Sequence, residues 1–142
     1  MAMLSARERA MRDARETLAA PDLHKVRFEA RRVEKPWGYE LIWAHAERYV
    51  GKILHVTRGH ALSRQYHRRK DETIHLFSGS MRFEFDAGDG PGEVVLRPGE
   101  SMRIQPGTIH RMIALEDCDV LEASTPELDD VVRLEDRYGR VP

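Results

Sequence analysis

From Val26 onward, short runs of alternating apolar and polar residues fill the chain, and each run is closed by turn residues. The runs are ELIWA (40–44), YVGKILHV (49–56), ALSRQYH (61–67), ETIHLF (72–77), MRFEFD (81–86), EVVLRP (93–98), SMRIQ (101–105), HRMIAL (110–115) and DVLEAS (119–124). GDGPG at 88–92, RPGE at 97–100 and QPGT at 105–108 punctuate them. Many short strands at spacings of roughly ten residues predict an all-β sandwich or barrel. Ahead of them, Ser5 to Ala20 reads as a helix, with Ser5 as its cap, Glu8 completing a capping box and Pro21 as its stop. Its apolar positions Leu4, Met11, Ala14 and Leu18 form a narrow stripe. Such an arm packs on the outside of a barrel or on a partner subunit, or else frays into solvent. The expected division is a helical arm over residues 1–22 and a single domain over 23–142.

Composition narrows the class. At 142 residues and 41% hydrophobic content the chain can bury one core. Its 23 Lys and Arg residues nearly balance 24 Asp and Glu residues, without the basic excess of a nucleic-acid binder. A small-molecule partner is expected. Cys118 is the single cysteine and excludes an internal disulfide. No apolar run is long enough for a signal peptide core or a membrane span, so a cytoplasmic protein is expected.

The stretch Gly59 to Gly79, GHALSRQYHRRKDETIHLFSG, carries the strongest chemical signal. Gln65 and His67 alternate with Tyr66, so on a strand both face the same way. The polar RRKD that follows turns the chain, and Glu72 then opens an apolar run expected to return beside the first strand as a hairpin. A further donor, His110, follows the Pro106-Gly107 turn. Two imidazoles, a carboxylate and an amide oxygen suit one divalent zinc, manganese, iron, cobalt or nickel ion with open positions. His75 lies three residues from Glu72 and faces the other way on a strand. His55 and His60 have no ligand partners at suitable spacing.

Gly59, Gln65-x-His67, Glu72 and Gly79 together resemble the first cupin motif, with Gln in place of the first His, and Gly99 to His110 resembles the second. In the second, Gln105 stands where Pro is usual and Pro106 comes one position late. More narrowly, KPWGYE at 35–40, the QYH triplet at 65–67 and DDVVRLEDRYGR at 129–140 are similar to the C-terminal cupin domain of type II mannose-6-phosphate isomerases. The resemblance implies a double-stranded β-helix, or jelly-roll barrel, with the tail folded back near its mouth. There are departures. The family reads His-x-His-Arg-x-Glu-His across the metal turn, whereas this chain runs His67, Arg68, Arg69, Lys70, Asp71, Glu72, Thr73, with two histidines absent and Lys70 replacing Arg. Bifunctional relatives also carry an upstream nucleotidyltransferase domain, for which these 142 residues leave no room.

On a barrel interior, Lys52 would be an isolated cation in an apolar strand, a cost that a bound anion relieves. Ser63 shares the metal face and is placed to hydrogen-bond a sugar hydroxyl. Arg137 and Arg140 suit bidentate phosphate binding, with surface ion pairs to Asp130, Glu135 or Asp136 as the alternative. The resemblance implies an aldose-ketose isomerase acting on a sugar or sugar phosphate, with no residue assignable as proton carrier. Two other readings stay open. One is a non-catalytic sugar-binding or sensing cupin, suggested by the missing turn histidines. The other is a non-haem iron dioxygenase, which a two-His, one-carboxylate set also suits. A homodimer paired through its sheets is expected, as cupins commonly pair.

Overall fold

The computed structural model describes residues 3, 5–9 and 26–142. Eleven strands run through the described domain: β1 (Arg31–Lys35), β2 (Gly38–His45), β3 (Val50–Val56), β4 (Arg64–Tyr66), β5 (Glu72–Ser78), β6 (Met81–Asp86), β7 (Pro91–Leu96), β8 (Ser101–Ile104), β9 (Ile109–Ala114), β10 (Cys118–Ser124) and β11 (Val132–Glu135). They form a six-stranded sheet in the order β1-β2-β3-β10-β5-β8 and a five-stranded sheet in the order β11-β4-β9-β6-β7. All the pairings are antiparallel, and the two sheets face each other as a jelly-roll barrel.

Alternation decides which side chains enter the barrel. On β10, Cys118, Val120, Glu122 and Ser124 are buried, while Leu121 and Ala123 between them are exposed. Val120 pairs with Leu54 on one side and Leu76 on the other, and these pack against Met81, Phe83 and Met112 of the opposite sheet. Each such fully buried side chain contributes about 1.5–3 kcal/mol. Trp37 joins this cluster, and its carbonyl accepts the Thr57 N–H at 2.9 Å, pinning the start of β2. Gly79, at φ +90°, turns β5 into β6 where a Cβ would collide with the Asp117 carbonyl, so the second glycine of the motif is sterically required.

The expected hairpin between 61–67 and 72–77 does not form. β4 is only three residues long and pairs with β9 and β11, whereas β5 pairs with β10 and β8 in the other sheet. The RRKD stretch is therefore a crossing between sheets, and Gln65 and Glu72 line one cavity from opposite sheets. β1 had no counterpart in the expected strands, because its alternation rests on Val33 amid charged residues. The charged tail supplies β11 at the edge of the five-stranded sheet, as the fold-back expectation requires.

At the N-terminus, Glu8 Oε2 accepts the Ser5 N–H at 2.7 Å and Ser5 Oγ accepts the Glu8 N–H at 3.2 Å. This is the expected capping box, and residues 6–9 are helical. The rest of the expected helix, with Leu4, Met11, Ala14, Leu18 and Pro21, lies outside the described residues.

Candidate metal centre

A cross-strand row of the five-stranded sheet sets Arg133 opposite Gln65, and Gln65 opposite His110. The opposing sheet contributes Glu72 from the first position of β5, flanked by Ser124 of β10 and Ile104 of β8. His67 follows β4 and completes the group. The candidate ligand atoms of His67, Glu72 and His110 lie within 4.8 Å of one another, and all three residues are buried. Glu72 Oε1 is 3.3 Å from His67 Nε2 and 3.4 Å from His110 Nε2.

The outer nitrogens fix the tautomers. The Asp130 carbonyl accepts the Nδ1–H of His67 at 2.5 Å, and the Thr108 carbonyl accepts the Nδ1–H of His110 at 2.9 Å. Each neutral imidazole therefore turns the bare lone pair of Nε2 toward Glu72. Three acceptors then face one another, and His110 Nε2 is buried without a hydrogen-bond partner. A divalent cation among them satisfies all three, so this donor set fits the metal implied by the spacing. Gln65 lines the same cavity, and its amide oxygen accepts a hydrogen bond from Ser63 Oγ at 2.6 Å. Ser63 itself is 1% exposed.

Beside the triad lies a buried cluster of charges. Lys70 Nζ is 2.8 Å from Glu72 Oε2 and 3.3 Å from Glu122 Oε2. Burial works against the charge on Glu72, but its carboxyl is nevertheless held well below the usual range, with the Lys70 ammonium 2.8 Å from Oε2 favouring the charged form. Burial, together with the charge on Glu72, pushes Glu122 up to about 7, and Lys70 and Lys52 oppose that rise. Burial lowers the affinity of Lys70 for its proton, yet Glu122 and Glu72 more than compensate and its pKa is raised. A cavity of about 440 Å³ opens onto Gln65, His67, Glu72 and this cluster.

Several expectations change here. Lys52 lines the cavity but is not an isolated cation, since its Nζ lies 3.3 Å from Glu40 Oε2, and Glu40 is also 3.8 Å from Lys35. Arg137 does not line the cavity; it donates to the Gly59 carbonyl at 3.1 Å. Arg140 does line it, but its guanidinium donates to both Asp136 oxygens, at 2.8 and 3.0 Å, so the ion-pair alternative holds. Within the polar RRKD stretch, Asp71 pairs with Arg103 at 2.8 Å, but Lys70 turns inward and is only 5% exposed. His75 faces away and bonds Ser101 Oγ, as expected from its parity. Glu122 and Glu40 were not singled out from the sequence, although the alternation Val120, Leu121, Glu122 marks Glu122 as inward-facing on a buried strand.

The fold and this arrangement define a cupin with a candidate metal centre. The model of the family described as mannose-6-phosphate isomerase C-terminal matches residues 22–136, and the chain belongs to that family. It is 37% identical over 150 aligned residues to the mannose-1-phosphate guanylyltransferase ManC of Salmonella typhimurium, covering 99% of this chain and 30% of that protein. The mannose-1-phosphate guanylyltransferase of Escherichia coli K12 is 35% identical, with the same coverage. The chain thus spans less than a third of the length of these curated relatives. Among solved structures, KdgF from Halomonas superposes with a TM-score of 0.61 at 23% identity, covering 72% of this chain and 91% of that one. CapF from Staphylococcus aureus superposes with a TM-score of 0.64 at 18% identity, covering 78% of this chain and 35% of that one. At these identities the structural likenesses carry the fold alone. No helix among the described residues is long and apolar enough to cross a membrane.

Proposed function

We propose that this chain is a metal-dependent aldose-ketose isomerase of the mannose-6-phosphate type, acting on a sugar phosphate. The observation that carries this reading is the buried His67, Glu72 and His110 triad, with His67 and Glu72 lining a cavity whose wall also carries Gln65, Lys70 and Glu122. Zinc is the leading ion. When bound, a divalent ion there would supply Lewis-acid stabilisation for the charge that develops on the carbonyl and hydroxyl oxygens of the open-chain sugar. Gln65 and Ser63 form one hydrogen-bonded unit on the cavity wall that orients sugar hydroxyls.

The reaction moves a proton between carbons one and two, and it needs a carrier inside the cavity. Glu122 fills that role: its carboxylate lines the cavity, and Lys70 holds it 3.3 Å away. The carboxylate takes the proton from one carbon and returns it to the next, with Lys70 as its fixed counter-charge.

The absent turn histidines do not weigh against catalysis. The two positions concerned are Arg69 and Thr73, and both side chains are exposed. Their replacement therefore leaves the cavity wall intact, while Lys70 retains the buried positive charge of the Arg it replaces. That geometry favours an enzyme over a binding module that has lost its acid-base group. The homodimer expectation belongs to the same reading, and exposed Trp43, Phe77 and Leu121 on the outer face of the six-stranded sheet support it.

A coupled assay with mannose 6-phosphate and fructose 6-phosphate on the zinc-loaded chain tests the reading. Turnover that disappears in His67→Gln is the expected result. Absence of turnover with a panel of phosphosugars under metal-replete conditions would overturn it, and oxygen uptake by an iron-loaded sample would replace it with the oxygenase.

A further inference from the structure

Six cationic and four acidic side chains line the 440 Å³ cavity, so its wall is positive before any metal is counted. Most of that positive charge is already committed. Lys35 and Lys52 share Glu40, Lys70 lies between Glu72 and Glu122, and Arg140 grips Asp136. Two cations have no hydrogen bond or ion pair among the described residues, Arg31 and Arg133. Arg31 is exposed on β1, where water solvates it. Arg133 differs, because its Nε is buried and has no hydrogen-bond partner. An unsatisfied buried N–H of a charged group is costly unless a ligand meets it.

Its position gives that cost a use. Arg133 is the cross-strand partner of Gln65, which is in turn the partner of His110, so all three side chains share the inner face of the five-stranded sheet. Two strand spacings, roughly 10 Å, separate Arg133 from His110 along this row. A ligand held at the triad by one end and extended along the row would present its far end to the guanidinium. That fork is the side chain best shaped to hold a tetrahedral oxyanion with two parallel hydrogen bonds.

We propose that Arg133, rather than Arg137 or Arg140, is the oxyanion-binding residue of the cavity, and that it recognises the phosphate of the substrate across from the metal triad. The assignment rests on the isomerase reading for the identity of the substrate, but not for the existence of an oxyanion site. The probe is therefore inorganic phosphate, titrated calorimetrically into the full zinc-loaded chain and into Arg133→Gln, Arg133→Lys, Arg137→Gln and His67→Gln.

Binding should weaken at least about tenfold in Arg133→Gln. It should fall less in Arg133→Lys, which keeps the charge and loses the fork. Arg137→Gln and His67→Gln should retain it. Loss in His67→Gln with retention in Arg133→Gln would place the phosphate on the metal and overturn the proposal, as would no phosphate binding to the parent chain. Phosphate binding that depends on Arg133 without any sugar-phosphate turnover would instead sink the isomerase reading and leave the oxyanion site standing. Arg133→Lys also guards against misfolding, because β11 keeps a long cationic side chain at the same register.

Discussion

The backbone carbonyl of Asp130 accepts the Nδ1–H of His67 at 2.5 Å, so a residue of the C-terminal segment sets the orientation of a candidate metal ligand 63 positions earlier. The carboxylate of the same residue accepts the N–H groups of Arg68 at 3.1 Å, Arg69 at 2.7 Å and Lys70 at 2.8 Å. Those bonds hold its carboxyl down at about 2. The crossing between the sheets is thus shaped by the tail, and the tail is part of the site.

Asp130→Ala removes the carboxylate that ties three amides together. Zinc affinity, measured by competition with a chromogenic chelator, should fall about tenfold, because the backbone carbonyl that orients His67 is then no longer anchored to the turn. Asp130→Asn keeps one acceptor oxygen and should fall between the two. Unchanged affinity in Asp130→Ala would mean that the turn holds its shape without the tail.

Glu122→Gln keeps the size and polarity of the side chain and removes its ability to carry a proton. In the isomerase assay on the zinc-loaded chain, kcat should drop about 10²- to 10⁴-fold while KM and zinc content stay near those of the parent. A change confined to KM would make Glu122 a binding residue only.

The Lys70 cluster yields a stability test. Lys70→Met leaves Glu72 and Glu122 facing each other without their counter-charge, which should cost about 3–5 kcal/mol in urea unfolding. Adding Glu122→Gln should recover a large part of that loss, because the repulsion that Lys70 relieves is then gone. Strictly additive effects in the double variant would show that the two side chains do not interact.

Asp136 offers a pH test remote from the metal. Arg140 and backbone N–H groups hold its carboxyl down at about 2, below the ordinary 3.8. A carboxyl depressed on folding stabilises the native state in full above its unfolded pKa and loses that contribution as pH falls toward the folded value. Asp136→Asn should therefore cost about 1–2 kcal/mol near neutral pH. The gap in melting temperature between parent and variant should close between about pH 4 and pH 2. A gap that persisted at pH 2 would contradict the assignment.

Local pattern explains what could be read from the chain. His67, Glu72 and His110 were legible because their spacing and the turn residues between them put donors on inward positions, whichever strand paired with which. The pairing itself was not legible: RRKD reads equally as a hairpin turn and as a crossing, and Asp130, 60 residues beyond Lys70, decides between them. Lys70 was missed for the same reason, since its burial depends on Glu122, 52 residues away. Lys52 looked isolated because its partner Glu40 lies on the adjacent strand, 12 residues earlier. In the tail, composition showed many arginines but no register. The pairing of Arg133 with Gln65 reveals that this arginine faces the cavity, and Arg140 also lines it but is held by Asp136.

The measurement that bears most directly on this account is the metal content of the purified, zinc-reconstituted chain beside His110→Gln, determined by plasma mass spectrometry after gel filtration. One equivalent of zinc, reduced to trace in His110→Gln while its β-sheet circular dichroism is preserved, is the predicted result. No retained metal in the parent chain, or an equal amount in His110→Gln, would contradict it.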